Sequence, residues 1–286
     1  MLGIPRNPYS PRVAAMLAAA ADDLGLPYRP IDLPSLTVEL AADGAATVRD
    51  AAGPIDVAAV APVVLFGFPA AVHGLRALAR RAYLQNPIDA GLAADDKAAT
   101  AELLGRVGVP QVPTTVVEFD GAPAAAAAIG YPVVVKRTHG AQGRWVRRAA
   151  DAAELATALA EFAPEGPSAL VLQPEIVEFR GRTLRVIVTG GRAVAASLRT
   201  AAGEEWRSNV ARGASQEIVT PSEEENELAR AAVAALGLRH GGVDVLRTAA
   251  GPRVLEVNAC PDVTSMVPML PDLPVTVLRA CLPQGV

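Results

Sequence analysis

Residues 238–261, LRHGGVDVLRTAAGPRVLEVNACP, limit what this chain can fold into more than any other stretch. Val243, Val245, Val254 and Val257 have β-branched side chains suited to a pleated surface, and the break Ala249-Ala250-Gly251 divides the apolar run in two. The pattern predicts an antiparallel hairpin with a three-residue loop, Gly251 taking the left-handed position. Pro252 then opens the second strand, where a missing N–H is tolerated. Side chains alternate along a strand, so Glu256 and Asn258 share a face, and counting symmetrically about Ala250 sets Asp244 opposite Glu256. Three oxygen donors thus converge from two rigid strands, a set suited to a hard divalent cation beside phosphates. A hairpin with a solvated polar face is the plainer reading. Against it, Asp and Asn are poor strand formers, and apolar residues surround them.

A chain of 286 residues can bury one large core or two to three small ones, and with 51% apolar and 20% charged residues it has no disorder signature. A net charge of -4 makes no case for nucleic acid or an anionic membrane as partner. Cys260 and Cys281 cannot form a disulfide framework, which fits a reducing cytoplasm. The apolar run 13–21 is closed by Asp22 and Asp23, and 57–75 is broken by Pro62, Gly67 and Pro69, so neither reads as a signal peptide or membrane span.

Short alternating strand and helix signals fill the N-terminal part and predict an α/β layer. Ser10 and Pro11 make a cap and first-turn proline for a helix to about Asp23, which Gly25 stops. LPYRPIDLP reads as a strand, 57–66 as a buried strand and 72–83 as a helix; no dinucleotide-type glycine fingerprint is present. Asn86-Pro87 marks a break. Asp95 or Asp96 can cap a helix 97–106, whose Lys97 reads most plainly as a local ion-pair partner of Asp95 or Glu102. Strands at 114–119 and 131–136 flank an Ala-rich helix at 122–130. Val133-Val134-Val135 brings Lys136 out at the end of a buried strand, ahead of a glycine loop at 139–144 that reads most plainly as a turn. An amphipathic helix at 151–162, a strand at 169–172 and a hairpin about Gly190-Gly191 follow. Ser222 with Glu225 forms a capping box for the helix that ends at Leu236-Gly237.

A hairpin that ends in an acid, an apolar residue, Asn, a small residue and Pro resembles the metal-binding end of ATP-grasp ligases. The words WRSNVARGA, HGGVDVLR and VLEVNACP, in that order between 181 and 261, are similar to the RimK-type branch. That branch includes the ribosomal-protein glutamate ligase and the carrier-protein ligase of bacterial lysine biosynthesis. Weaker similarity reaches back to about Met1. The resemblance implies an α/β chain (α+β lobes) of ATP-grasp fold. Its N-terminal α/β pre-ATP-grasp domain would span 1–90, a central lobe 91–172, and a C-terminal lobe with the metal hairpin 173–286.

The resemblance also implies roles. Lys97 and Lys136 would hold phosphate oxygens of ATP, under a loop containing Gln142 and Gly143. Asp244, Glu256 and Asn258 would bind one or two Mg2+ ions, with Mn2+ as a substitute. Gln173, Glu175 and Ile176 fall where the family pinches the adenine, but Pro174 stands in place of an acid and Glu175 comes one position late. Thr183 replaces an aspartate that meets the ribose, leaving Glu178 as a candidate for that contact. Arg207 and Asn209 would lie near the nucleotide. Arg185, Arg199, Arg207 and Arg212 lie in one segment, and guanidinium forks bind phosphate and carboxylate bidentately, so an acidic substrate is expected beside the nucleotide. The implied reaction joins a carboxylate to an amine through an acyl phosphate, releasing ADP and phosphate. The partners would be an amino acid and the carboxylate of an amino acid, peptide or carrier protein, in a cytoplasmic homo-oligomer that binds neither nucleic acid nor membrane. Pro174 and Thr183 favour the alternative, a non-catalytic nucleotide- or peptide-binding protein that keeps the fold; the metal set and two lysines favour the enzyme.

Overall fold

A strand, a helix and a returning strand begin the parallel layer. The computed structural model describes residues 1–8, 10–63, 67–140, 143–166, 168–203, 205–208, 210 and 213–282. Strand β1 (Leu2–Arg6) leads into helix α1 (Pro11–Asp23), and β2 (Tyr28–Asp32) returns parallel to it. Pro11 sits in the first turn, where its missing N–H is harmless, and Gly25 ends the helix at φ 63°. Ser10 does not cap α1: its own N–H donates to Asn7 Oδ1 and its hydroxyl accepts from Asn7 Nδ2, both at 3.0 Å. A small antiparallel sheet that the pattern did not announce follows: β3 (Thr37–Leu40), β4 (Ala46–Asp50) and β5 (Gly53–Pro54). Strand β6 (Ala59–Val60), helix α2 (Pro69–Leu78) and β7 (Tyr83–Leu84) complete a parallel sheet of order β2-β1-β6-β7. The expected strand 57–66 is thus short in its described part, and Tyr83 belongs to a strand instead of the helix.

Two helices, α3 (Ile88–Asp95) and α4 (Lys97–Arg106), come next; the Asp96 side chain caps α4 by accepting from Ala98 N at 2.8 Å and Ala99 N at 3.3 Å. An antiparallel sheet of order β10-β9-β11-β8 is built from β8 (Thr115–Val117), β9 (Val133–Arg137), β10 (Val146–Ala149) and β11 (Leu170–Pro174). Helices α5 (Ala122–Ile129) and α6 (Ala152–Phe162) cover it, with Leu155 and Phe162 buried against Val133, Val135, Leu170 and Leu172.

The third sheet has five strands in the order β14-β13-β12-β15-β16. They are β12 (Arg182–Thr189), β13 (Arg192–Thr200), β14 (Ser215–Ile218), β15 (His240–Thr248) and β16 (Gly251–Asn258), with helix α7 (Glu223–Ala235) before β15 and α8 (Leu273–Arg279) after β16. Leu228, Ala229, Ala232 and Val233 of α7 pack on Leu184, Val186, Val188, Val243, Val245, Val254 and Val257, and α3 and α4 add Ala90, Ala94 and Leu104 to that core. Strand alternation therefore turns Thr183, Arg185, Asp244 and Glu256 to the opposite face. Among the described residues no helix is long and apolar enough to cross a membrane.

The hairpin differs in one respect from its expected form. Thr248 pairs with Gly251 (φ 97°), so the loop is the two residues Ala249 and Ala250, not three. Asp244 still faces Glu256, because the register jumps from Val245↔Val254 to Asp244↔Glu256 and leaves Leu255 as an extra, bulged residue. Val254 and Val257 can then both enter the core although they are three positions apart. Deleting Leu255 would leave a regular strand with the same pairs on the same faces. We expect that variant to keep its sheet content by circular dichroism and its thermal midpoint within a few degrees. Loss of cooperative unfolding would show that the bulge itself holds the register.

Candidate active site

One transverse row of the five-stranded sheet carries Ser197, Arg185, Asp244 and Glu256 on adjacent strands, each paired with the next. Arg185 grips Asp244 with two parallel bonds: Nε to Oδ1, and Nη2 to Oδ2 at 2.6 Å. Both side chains are nearly buried. Burial works against the Arg185 charge, but the bonded Asp244 carboxylate outweighs it and holds the guanidinium above its ordinary value, with Glu256 and Asp262 adding to the effect. With its amide oriented to match its neighbours, Asn258 donates to Glu256 Oε1 at 3.1 Å and accepts from Arg185 Nη2 at 3.2 Å. Gly242 makes room for this: a Cβ there would stand 2.7 Å from Pro261 Cβ and 3.1 Å from Arg185 Cδ.

Asp244, Glu256 and Asn258 fit a hard cation. Each carboxylate oxygen has a second lone pair beyond the bonds just described, and all three side chains are on one rigid hairpin. Among the described residues no cluster of three or more His, Cys, Asp or Glu forms a closed site, so phosphate or water oxygens would have to complete the shell.

Across from the hairpin stands Lys136 of β9, 6% exposed, its Nζ donating to Gln173 Oε1 at 2.6 Å. Gln173 Nε2 donates in turn to Thr114 Oγ1 at 2.9 Å, which fixes the amide. Burial pushes the Lys136 ammonium down to about 8; Glu256 and Asp244 oppose that shift and Lys97 adds to it. Lys97 donates its backbone N–H to Thr138 O at 2.9 Å and its Nζ to Gly140 O at 3.0 Å, tying α4 to the glycine loop, while Glu102 pairs with Arg106. Lys97, Leu104, Lys136, Gln173, Leu255 and Glu256 line one pocket between the two sheets.

The other expected residues take varied positions. Arg199 is 8% exposed, its side chain makes no hydrogen bond among the described residues, and its buried Nε has no acceptor. Burial, then the neighbouring Arg185, bring it down to about 10, with Asp244, Asp262 and Glu256 opposing the shift. Thr183 bonds Ser208 through their hydroxyls. Arg207 holds Glu205, whose carboxyl it draws down to about 2, and reaches Gly143 O at 3.1 Å and Val146 O at 3.3 Å. Glu175 pairs with Arg148 at 2.9 Å and Arg180 at 3.4 Å, and its Oε1 has no hydrogen-bond partner among the described residues. Ile176 packs beside Val112, Phe179 and Leu246, and Glu178 is exposed. Gln142, Asn209 and Arg212 lie outside the described residues. His73 and His139 are exposed and His240 is buried, while burial pushes the Cys260 thiol up to about 12. Sequence reasoning passed over Gly242 and Asn86; the double glycine at 241–242 was the only local sign of the first.

A lysine-bearing antiparallel sheet set against a carboxylate-bearing one, with a pocket between them, is the cleft of an ATP-grasp protein. The RimK-like ATP-grasp domain matches residues 94–271, more than half of the chain, which therefore belongs to that family. Over 168 residues it is 37% identical to a probable alpha-L-glutamate ligase of Rhodopirellula baltica, the match covering 58% of this chain and 41% of that protein. D-cycloserine synthetase DcsG superimposes with a TM-score of 0.74 at 22% identity, covering 98% of this chain and 97% of the other. The ATP-grasp ligase PsnB, in complex with a minimal precursor, Mg and ADP, does so with 0.68 at 18% identity, covering 97% and 98%. At these identities the structural likeness is one of fold.

The position of Lys136 gives a pH dependence whose sign is fixed. Below about 8 it is an ammonium, and above that a neutral amine. Affinity for ATP, measured calorimetrically, should fall as pH rises through about 8 in the wild type. Lys136→Arg should abolish that fall and bind more weakly at neutral pH, since a planar fork does not replace a point charge. A wild-type affinity that is flat across this range would remove Lys136 from phosphate binding.

Proposed function

We propose that this protein is an ATP-dependent carboxylate–amine ligase. The observation that carries the reading is the buried Lys136 sharing a pocket with Glu256, whose strand neighbour Asp244 is gripped by Arg185. The reaction needs charge neutralisation and in-line placement, with little covalent work by the protein. Lys136 and Lys97 hold phosphate oxygens, and Gln173 keeps the Lys136 ammonium aimed into the pocket. Asp244, Glu256 and Asn258 would hold Mg2+, which when bound neutralises phosphate charge; Mn2+ is the expected substitute. Arg185 keeps Asp244 in place, so its own fork is committed. Among the described residues Arg199, whose buried Nε has no acceptor, lies on the same face and receives the anionic carboxylate before it attacks the terminal phosphorus. ADP leaves, the amine nitrogen attacks the acyl carbon, and phosphate departs.

For the acid we favour an acidic amino acid such as glutamate, or the carboxyl terminus of a peptide or carrier protein. The buried Nε of Arg199, which has no acceptor among the described residues, and the glutamate-ligase name of the Rhodopirellula relative support this. The free thiols of Cys260 and Cys281 suit a reducing cytoplasm. A second reading, nucleotide or peptide binding without turnover, draws on Glu175 being engaged by arginines and on Thr183 bonding Ser208.

Incubation with ATP, Mg2+, hydroxylamine and a panel of carboxylic acids separates the two. Hydroxamate, ADP and phosphate in equal amounts are expected with acidic members of the panel. Binding of ATP with no hydroxamate from any acid would establish the second reading, and AMP with pyrophosphate would rule out the acyl phosphate. In the same assay Glu256→Gln should lower Mg2+-dependent turnover by roughly 100-fold or more with folding preserved. Arg199→Lys should raise KM for the acid about tenfold while moving KM for ATP little. The opposite split would assign Arg199 to the nucleotide.

A further inference from the structure

Asn86, 8% exposed and just past β7, uses its whole amide on backbone more than 150 residues away in sequence. Its Nδ2 donates to His240 O and to Ala259 O, both at 2.8 Å, and its Oδ1 accepts from Arg239 N at 2.9 Å and His240 N at 3.0 Å. All four of its hydrogen-bonding positions are filled. The carbonyls matter most for the hairpin. The β15–β16 ladder has its last pair at Gly242↔Asn258, and His240 and Ala259 stand just beyond it. The two amide hydrogens therefore act as one more rung, holding together strand ends that nothing else in the ladder joins.

We infer that Asn86 is a positioning residue for the metal-binding end of the hairpin, which rests on the reading of Asp244, Glu256 and Asn258 as cation ligands. Ala259, which it holds, follows Asn258 directly, and Glu256 is two residues further in. Asp244 is secured independently by Arg185. Losing the added rung frays the ladder from its open end, so Asn258 moves first, Glu256 next and Asp244 last. Only a carboxamide does this work. An aspartate would turn oxygens toward two carbonyls, an alanine leaves two carbonyls and two N–H groups unpaired, and a glutamine displaces the amide by a methylene. Gln85 beside it shows the contrast. It bonds Thr189 Oγ1 and accepts from the Cys281 thiol, and neither of those partners belongs to β15 or β16.

The test compares full-length wild type with Asn86→Ala, Asn86→Asp and the milder Asn86→Gln. Phe162→Leu, in the core of the four-stranded sheet, serves as a control that lowers stability away from the hairpin. Two quantities are read beside the thermal midpoint. They are hydrogen exchange at the amides of 239–243 and 256–260 without metal or nucleotide, and the affinity for Mn2+ in the presence of ADP by electron paramagnetic resonance. In the Asn86 variants, exchange at Asn258 and Ala259 should quicken about tenfold, and the Mn2+ Kd should rise roughly 10- to 100-fold, Asn86→Gln least. Phe162→Leu should change neither at a matched fall in thermal midpoint. The inference is overturned if Asn86→Ala, or Asn86→Gln should Ala not fold, binds Mn2+ as well as Phe162→Leu does. Wild-type protein that takes up no Mn2+ with ADP would instead overturn the cation-ligand reading, and the inference with it.

Discussion

The paired bonds between Arg185 and Asp244 let the five-stranded sheet bury a polar face at all. A lone guanidinium or carboxylate at that depth would leave an uncompensated charge, whereas two parallel charge-assisted bonds on adjacent strands neutralise both and fix their orientation. Removing one partner of such a pair costs on the order of 3–5 kcal/mol, chiefly because the other charge is left stranded. The neighbouring features depend on that pair. Gly242 lacks a side chain because Arg185 passes there, Asn258 completes the contact on the far side, and Ser197 takes the adjacent rung.

Charge is distributed unequally about the cleft. Lys97 and Lys136 approach from one wall and the carboxylates Asp244 and Glu256 from the other. On the carboxylate wall Arg185 is bonded to Asp244, whereas the buried Nε of Arg199 has no acceptor among the described residues, although Asp244, Asp262 and Glu256 lie near enough to act on its charge. A ligand with several negative charges relieves strain on both walls together: it restores the Lys136 ammonium, which burial disfavours, and supplies Arg199 with an acceptor. Binding of such a ligand above neutral pH is coupled to proton uptake at Lys136.

The geometry of the hairpin was legible because it was local. β-branched residues marked the core face, and the acids between them marked the other face. The pairing of Asp244 with Glu256 came out correctly although the turn was read one residue too long; the bulged Leu255 compensates for the missing loop residue, and periodicity alone does not distinguish the two. Helix caps at Asp96 and the box at Ser222 and Glu225 were legible for the same local reason. What failed was non-local. Asn86 before Pro87 reads as a turn, since nothing nearby reveals bonds to Arg239, His240 and Ala259. Nor does anything local reveal that Arg185 is bonded by Asp244 or that Glu175 pairs with Arg148 and Arg180. Pro174 is tolerated because it closes the β11 ladder opposite Val133, where its strand ends.

Helix α8 packs against α1, and Val277, Leu278 and Cys281 share a core with Leu2, Ile4, Val13 and Leu17. The layer of β1 and α1 is therefore made before the residues that complete its interior. Its apolar side chains wait, exposed, for residues made after the metal hairpin. Contacts of such long sequence separation slow folding and prolong that exposure. During synthesis this topology leaves the layer uncovered for longer than its short strands and helices would suggest.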